Sequence, residues 1–417
     1  MAVNAHRSFN GSQDDTYLRQ LRVPDETAGE MRGARDEVRE TLRTGFQDWK
    51  RNLNEGTAQG DLVVALDEGQ SAPIGTPKFR MQGSMSYHTA NDPAHKPPQQ
   101  IDLDDGMFLP VSFLDQDSGI RPALVSAAYF RVVEEALGPL CDEKGWTLVT
   151  DKASCVRIEL NEECHLDVAL YAVPDDEFET LIETAANSRN DITVDGAFAQ
   201  LEILDEAYAS LDSDQMVLAH RKKGWMPSDP RELEDWFKEA VSDYGPQVRT
   251  VSRYLKGWRD QEWEDCRLSS IALMSATVTV FEENGAKAFE GRDDLALLAV
   301  AKRLPTILEG RIANPRVEGV FLDDGWSPNE RKGFVSGAHT LANVLTDAIE
   351  HSTSASFTVD RLQSVLGHRV PDDETLVTVE ADGASESLTA PAVAKLFKDD
   401  DADARKAVEM DGDERYG

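Results

Sequence analysis

The chain has 417 residues, 40% hydrophobic and 7% aromatic, enough to bury a large core and divide into two or three domains. Lys and Arg total 43 against 77 Asp and Glu, and the resulting net charge of -34 repels phosphate backbones, so no nucleic acid partner is expected. No apolar run approaches the roughly 20 residues of a membrane span and Met1–Tyr17 lacks an apolar signal stretch, so a cytoplasmic protein with no membrane partner is expected.

After a short polar lead, Met31, Ala34, Val38, Leu42, Phe46 and Trp49 recur at helical spacing and predict one long helix over Glu26–Asn52. Arg35, Arg39 and Arg43 lie every four residues along it, a basic row into which an ordinary solvated helix would mix acids. A short strand is predicted at Leu62–Leu66, and Pro93, Pro97 and Pro98 mark a loop. Val125–Gly138 has helical spacing, while Thr147–Thr150, Cys155–Leu160 and His165–Ala172 read as strands, giving a mixed sheet with flanking helices. From Asp205 onward the strand signals fade, and helices are predicted at Asp229–Ala240, Pro246–Trp258, Ser269–Glu282, Leu295–Leu308 and Ser336–Ile349. Beyond Pro391 the chain is acidic, with Asp399, Asp400, Asp401 and Asp403 clustered, and reads as a tail. The expected division is a core at 1–215, a helical domain at 216–390 and a flexible tail at 391–417. Cys141, Cys155, Cys164 and Cys266 form no C-x-x-C pair and read as small buried apolar residues.

The chemistry concentrates in Gln82–Gly106. In Ile101-Asp102-Leu103-Asp104, strand alternation sends both carboxylates to one face and the apolar pair to the other. Two like charges that close need a cation, and hard oxygens suit Mg²⁺. Asp167 stands alone among Leu166, Val168 and Leu170 on a second strand. If the two strands are neighbours, Asp102, Asp104 and Asp167 converge on two metals ~3.5–4 Å apart, the geometry of in-line phosphoryl transfer. Upstream, Gly83-Ser84 offers a turn whose N–H groups and hydroxyl can hold a triphosphate. His88, His95 and His165 have no ligand spacing, so no zinc module is expected.

The order Gly-Ser, Asp-x-Asp, strand Asp is that of the polymerase-β-like nucleotidyltransferases, an α+β fold. The stretches Gln82–Gly106, His165–Pro174, Ser228–Lys238 and Val251–Met274 closely resemble the bacterial cGAS/DncV-like (CD-NTase) family, nearest to its cyclic GMP-AMP synthases. The resemblance implies a cyclic dinucleotide synthase making 3′3′-cyclic GMP-AMP from ATP and GTP with two Mg²⁺ ions, Mn²⁺ serving as an alternative, as a second messenger in CBASS anti-phage defence. It implies that Asp102, Asp104 and Asp167 bind metal, with Asp167 orienting or deprotonating the attacking hydroxyl. It places Gln82, Gly83, Ser84, Tyr87, Arg157, Ser228, Asp229, Lys256 and Ser270 at nucleotide. Matching arginines imply a folate-like inhibitor site at Arg35, Arg39 and Arg43 beside Lys78 and Phe79, Lys78 replacing an expected arginine. In some operons of the family a ubiquitin-activating-like ligase conjugates the C-terminal carboxylate, which would be Gly417. The alternatives left open are a synthase of different base choice and a template-independent nucleotidyltransferase with another acceptor.

Overall fold

Strand alternation and helical periodicity resolve into two packed halves in the computed structural model, which describes residues 3–13, 15–54, 77–111, 122–174, 216–289 and 291–379. The predicted strand Leu62–Leu66, the tail at 391–417 and Gly417 lie outside the described residues. The chain opens with β1 (Val3–Asn4), α1 (His6–Phe9), α2 (Tyr17–Gln20) and the long α3 (Asp25–Asn54). There follow β2 (Lys78–Met81), α4 (Gly83–Ser86), β3 (Ile101–Val111), α5 (Pro122–Lys144), β4 (Thr147–Val149), β5 (Cys155–Glu159), β6 (Cys164–Pro174), β7 (Val217–His220) and β8 (Gly224–Pro227). The seven strands form one sheet in the order β2-β3-β6-β5-β4, with β7 and β8 continuing from the far end of β6. β3 and β6 are parallel and the other pairs antiparallel.

One face of that sheet makes the core. Ile101, Leu103, Met107 and Leu109 of β3 and Leu166, Val168 and Leu170 of β6 are buried against Val38, Leu42 and Phe46 of α3 and Tyr129, Phe130 and Val133 of α5. The opposite face is left for polar groups and a small cluster of Phe108, Tyr171, Val173 and Met216.

The second half comprises α6 (Pro230–Tyr244), α7 (Gln247–Glu262), α8 (Ser270–Asn284), α9 (Asp293–Glu309), α10 (Pro328–Thr346), a π turn at Asp347–His351, α11 (Ala355–Leu366) and β9 (Thr378–Val379). Helix α7 runs through its centre, burying Val248, Val251, Tyr254, Leu255 and Trp258. Starts are set by side-chain caps: Asp229 with Pro230 opens α6, Ser269 opens α8, and Ser327 with Glu330 closes a capping box on α10.

The structure corrects the sequence reading in four places. The polar lead is part of the helical half's core: Val3, Ala5, Phe9 and Tyr17 are fully buried, Ala5 N–H donates to Asp294 Oδ2 at 2.9 Å, and β1 pairs with β9. Its apolar positions are too few and too far apart to show periodicity. The strand content does not end at Asp205, because the β7–β8 hairpin adds to the sheet. The helix expected from Ser336 begins at Pro328, opened by the Ser327–Glu330 capping box. Cys155 and Cys266 are half-buried, not buried.

Candidate functional site

The parallel register of β3 and β6 sets Asp102 beside His165 and Asp104 beside Asp167. On the other flank of β6, Arg157 of β5 lies opposite Asp167 and holds it with two parallel bonds, Nε to Oδ1 and Nη2 to Oδ2, each 2.7 Å. The three acids of the sequence expectation therefore stand on adjacent positions of the polar face. Burial, then the charges of Asp102 and Asp167, push the Asp104 carboxyl up to about 8, with Arg157 and Lys256 opposing. Such crowding of hard oxygen donors is the condition that a bound divalent cation relieves. Asp102, His165 and Asp167 each offer a ligand atom, all within 4.8 Å of one another, so the cluster is a candidate divalent-metal site.

Helix α4 folds back over this cluster. Gln82 N–H donates to Asp104 O at 2.9 Å, Gly83 takes φ +62°, and Thr89 N–H donates to Ser84 O at 2.8 Å. The Gln82 side chain turns inward, accepting from Tyr171 OH at 3.3 Å and lying where a Cβ on Gly106 would be, 2.1 Å from its Nε2. Burial raises the Tyr87 and Tyr171 hydroxyls above the ordinary tyrosine value.

The helical half supplies the other wall. Arg249, Arg253 and Lys256 line up along α7 and grip the segment after α4: Arg249 Nε donates to Tyr87 O at 3.0 Å, Arg253 Nε to Asn91 Oδ1 at 2.9 Å and Lys256 Nζ to Thr89 O at 2.7 Å. Burial brings the Lys256 ammonium down to about 8, and Arg259 adds to the effect. Ser270 Oγ accepts from Arg259 Nη1 at 3.1 Å. Asp229 caps α6 through Arg231 N–H at 2.8 Å and pairs with the Arg231 guanidinium, while Ser228 N–H donates to Met216 O at 3.3 Å.

Between the halves lies a cleft of about 1420 Å³. Its wall includes Gln82, Gly83, Ser84, Tyr87, Asp102, Asp104, Arg157, Ser228, Asp229, Lys256 and Ser270. Asp167 is not part of that wall, but its partner Arg157 is. Sequence reasoning missed the place of His165 beside Asp102, visible only in the strand register, and Arg249 and Arg253, which stand at helical spacing from Lys256 within the predicted helix Pro246–Trp258.

The basic row on α3 lies on the other side of β3, because Asp105 points opposite to Asp104. Arg39 pairs with Asp105, Nε to Oδ2 at 2.7 Å, and Asp105 is 1% exposed. Burial holds the Asp105 carboxyl above its ordinary value, with Arg39 opposing. The Arg39 and Arg43 guanidinium groups lie 5.6 and 5.1 Å from the Phe79 ring centre, and Arg35 pairs with Asp36 at 2.7 Å. Burial, then Arg43, lowers the Lys78 ammonium. Among the described residues no helix is long and apolar enough to cross a membrane.

Comparison with known proteins agrees with this arrangement. Residues 77–171 match the family model for the nucleotidyltransferase domain of DncV-like cyclic GMP-AMP synthases, and residues 245–379 that for the cyclic GMP-AMP synthase C-terminal domain. A cyclic GMP-AMP synthase of Escherichia coli (strain TW11681) is 31% identical over 317 residues, covering 73% of this chain and 70% of that protein. One from Vibrio cholerae is 31% identical over 321 residues, with the same coverage of 73% and 70%. Solved structures of Vibrio cholerae DncV, one with the linear intermediate 5′ pppA(3′,5′)pG and one with GTP and 5MTHFGLU2, superpose with TM-score 0.75 at 25% identity, covering 91% of this chain and 100% of theirs. The chain belongs to the DncV-like cyclic GMP-AMP synthase family, and is a nucleotidyltransferase of the cyclic dinucleotide synthase type with the polymerase-β-like α+β fold.

Proposed function

We propose that the chain joins ATP and GTP into 3′3′-cyclic GMP-AMP, serving as a second messenger in CBASS anti-phage defence. The observation that carries this reading is the parallel register that sets Asp104, on the wall of a cleft shared by both halves, beside Asp167. Relatives named cyclic GMP-AMP synthases are 31% identical over 73% of the chain.

In the first transfer the 3′-hydroxyl oxygen of one nucleotide attacks the α-phosphorus of the other. A new oxygen–phosphorus bond replaces the bond to pyrophosphate, which departs. Asp167, fixed by Arg157, is the group that orients or deprotonates that hydroxyl. Ser84, Lys256 and Ser270 hold triphosphate, while Gln82, Tyr87, Ser228 and Asp229 frame the nucleosides. The linear product re-enters and the same displacement closes the ring. Asp102, Asp104 and Asp167 would hold two Mg²⁺ ions, with Mn²⁺ as substitute, which would supply charge neutralisation at the transferring phosphate. Positioning and electrostatics suffice, without a covalent enzyme intermediate.

The row Arg35, Arg39, Arg43 with Lys78 and Phe79 is the proposed site for a folate-like inhibitor, a reading supported by the relative bound to 5MTHFGLU2. The proposed domain division remains 1–215, 216–390 and 391–417, with residues 3–21 packing against the second domain. Gly417 is proposed as the attachment point for an operon-encoded ligase. The deciding experiment incubates the protein with all four NTPs and Mg²⁺, separates the products and digests them with linkage-specific nucleases. A product lacking adenine or guanine, or resistant to 3′–5′ cleavage, overturns the assignment.

A further inference from the structure

His165 stands at the edge of the acidic cluster in a configuration that its sequence context does not disclose. It is 6% exposed, and its Nε2 lies 3.0 Å from Asp102 Oδ1. Both of these atoms are shut away from solvent, and neither finds a hydrogen-bond partner. On the other side of the ring, Nδ1 lies 2.9 Å from Gln100 Oε1, while the Gln100 amide nitrogen is directed at Asn161 O and Glu162 O, at 3.4 and 3.3 Å. With that amide orientation Oε1 accepts, so Nδ1 carries a hydrogen, and in the neutral ring the Nε2 lone pair faces the carboxylate. Two lone pairs buried face to face are repulsive unless a positive charge sits against both.

We propose that His165 Nε2 is a ligand to the divalent metal held by the cluster, alongside Asp102. The proposal rests on the carboxylate-metal reading given above and extends it. Two ligands at right angles on bonds of about 2.1 Å are separated by about 3 Å, the spacing found here. Metal-bound imidazoles characteristically donate their second N–H to a carbonyl or carboxylate, which is the role of Gln100. Asp167 completes the group, its ligand atom within 4.8 Å of the other two. A nitrogen ligand also changes selectivity: imidazole favours Mn²⁺ and later metals over Mg²⁺, which prefers an all-oxygen shell.

The test titrates Mn²⁺ into the full-length, metal-free protein and reads the bound ion by pulsed electron paramagnetic resonance. The wild type is expected to show ¹⁴N coupling to bound Mn²⁺, replaced by ¹⁵N frequencies when histidine is ¹⁵N-labelled. His165→Gln is expected to bind Mn²⁺ about tenfold more weakly and without that coupling, while Mg²⁺ affinity changes less. If His165→Gln does not fold, the labelled wild type decides, because among the described residues His165 is the histidine gathered with these acids. Bound Mn²⁺ without nitrogen coupling overturns the proposal, leaving His165 as an imidazolium partner of Asp102 and the carboxylate reading intact. Coupling that persists in His165→Gln also overturns it. Failure of the wild type to bind Mn²⁺ at all overturns the carboxylate reading with it.

Discussion

Gly83 rests against Asp104: a Cβ on Gly83 would stand 1.9 Å from Asp104 Oδ2, and its φ of +62° is one that L side chains avoid. Two requirements, backbone handedness and close approach to a cluster acid, meet at one residue. Gly83→Ala is therefore expected to displace the turn or the carboxylate by a fraction of an ångström to an ångström and lower dinucleotide synthesis by about 10²-fold. Because α4 is short and lies over the cleft, the thermal midpoint should stay near that of the wild type. Full activity in a folded Gly83→Ala protein would show that the turn does not set the position of Asp104.

Crowding of Asp102, Asp104 and Asp167 works against the metal-free fold above the ordinary carboxylate range, since the Asp104 carboxyl is raised to about 8 and is forced toward ionisation there. Asp104→Asn keeps the shape and removes one charge. At pH 8 without metal, this variant should melt several degrees higher than the wild type, a stabilisation of about 1 kcal/mol or more. Mg²⁺ should raise the wild-type midpoint and leave the variant's nearly unmoved, with synthesis abolished. Equal Mg²⁺-induced shifts in the two proteins would remove Asp104 from the metal site.

How much of this was legible beforehand follows from the range of each interaction. Alternation in Ile101–Asp104 and Leu166–Leu170 is local, so the faces of the three acids could be read from sequence, and the long α3 announced itself by periodicity. The Asp102–His165 and Arg157–Asp167 relations depend on which strands pair and in what register, which no single segment encodes. The burial of Val3, Ala5 and Phe9 was invisible for the same reason: their partners, Asp294 and Thr378–Val379, lie hundreds of residues away in the chain. Asp105 is instructive in another way. It follows Asp104 directly, yet strand alternation delivers it to Arg39 on the helix-covered face.

Lys256 sets a pH limit. In the free protein its ammonium is lowered from the usual lysine value to about 8, first by burial and then by Arg259, so it is charged below that pH and neutral above it. At saturating Mg²⁺, which keeps the acidic cluster ionised, kcat/KM for the nucleotides is expected to fall as pH rises through about 8, because that ratio reports the free enzyme. Lys256→Gln should bind triphosphate weakly at every pH and lose this alkaline limb. A profile in the variant that still falls at the same pH would assign the limb to another group.

Arg39 and Arg43 stack on the same Phe79 ring, yet they are not equivalent. Arg43 is about one-third exposed and has Glu40 at 3.7 Å, whereas Arg39 is committed to the buried carboxylate of Asp105. Removing the Arg39 guanidinium strands that charge in a site where desolvation already raises it, a cost of about 3–5 kcal/mol. Arg39→Ala should accordingly shift the urea midpoint strongly downward, and Arg39→Ala with Asp105→Asn should recover part of the loss, since the orphaned charge is gone. Charge reversal at Arg39, the variant that the arginine spacing alone suggests, would therefore disturb the strand carrying Asp104 together with any ligand site. Arg43→Ala is the cleaner probe. It should weaken folate binding in calorimetry while leaving the urea midpoint within experimental scatter. An unchanged midpoint for Arg39→Ala would show that Asp105 is sustained by other partners.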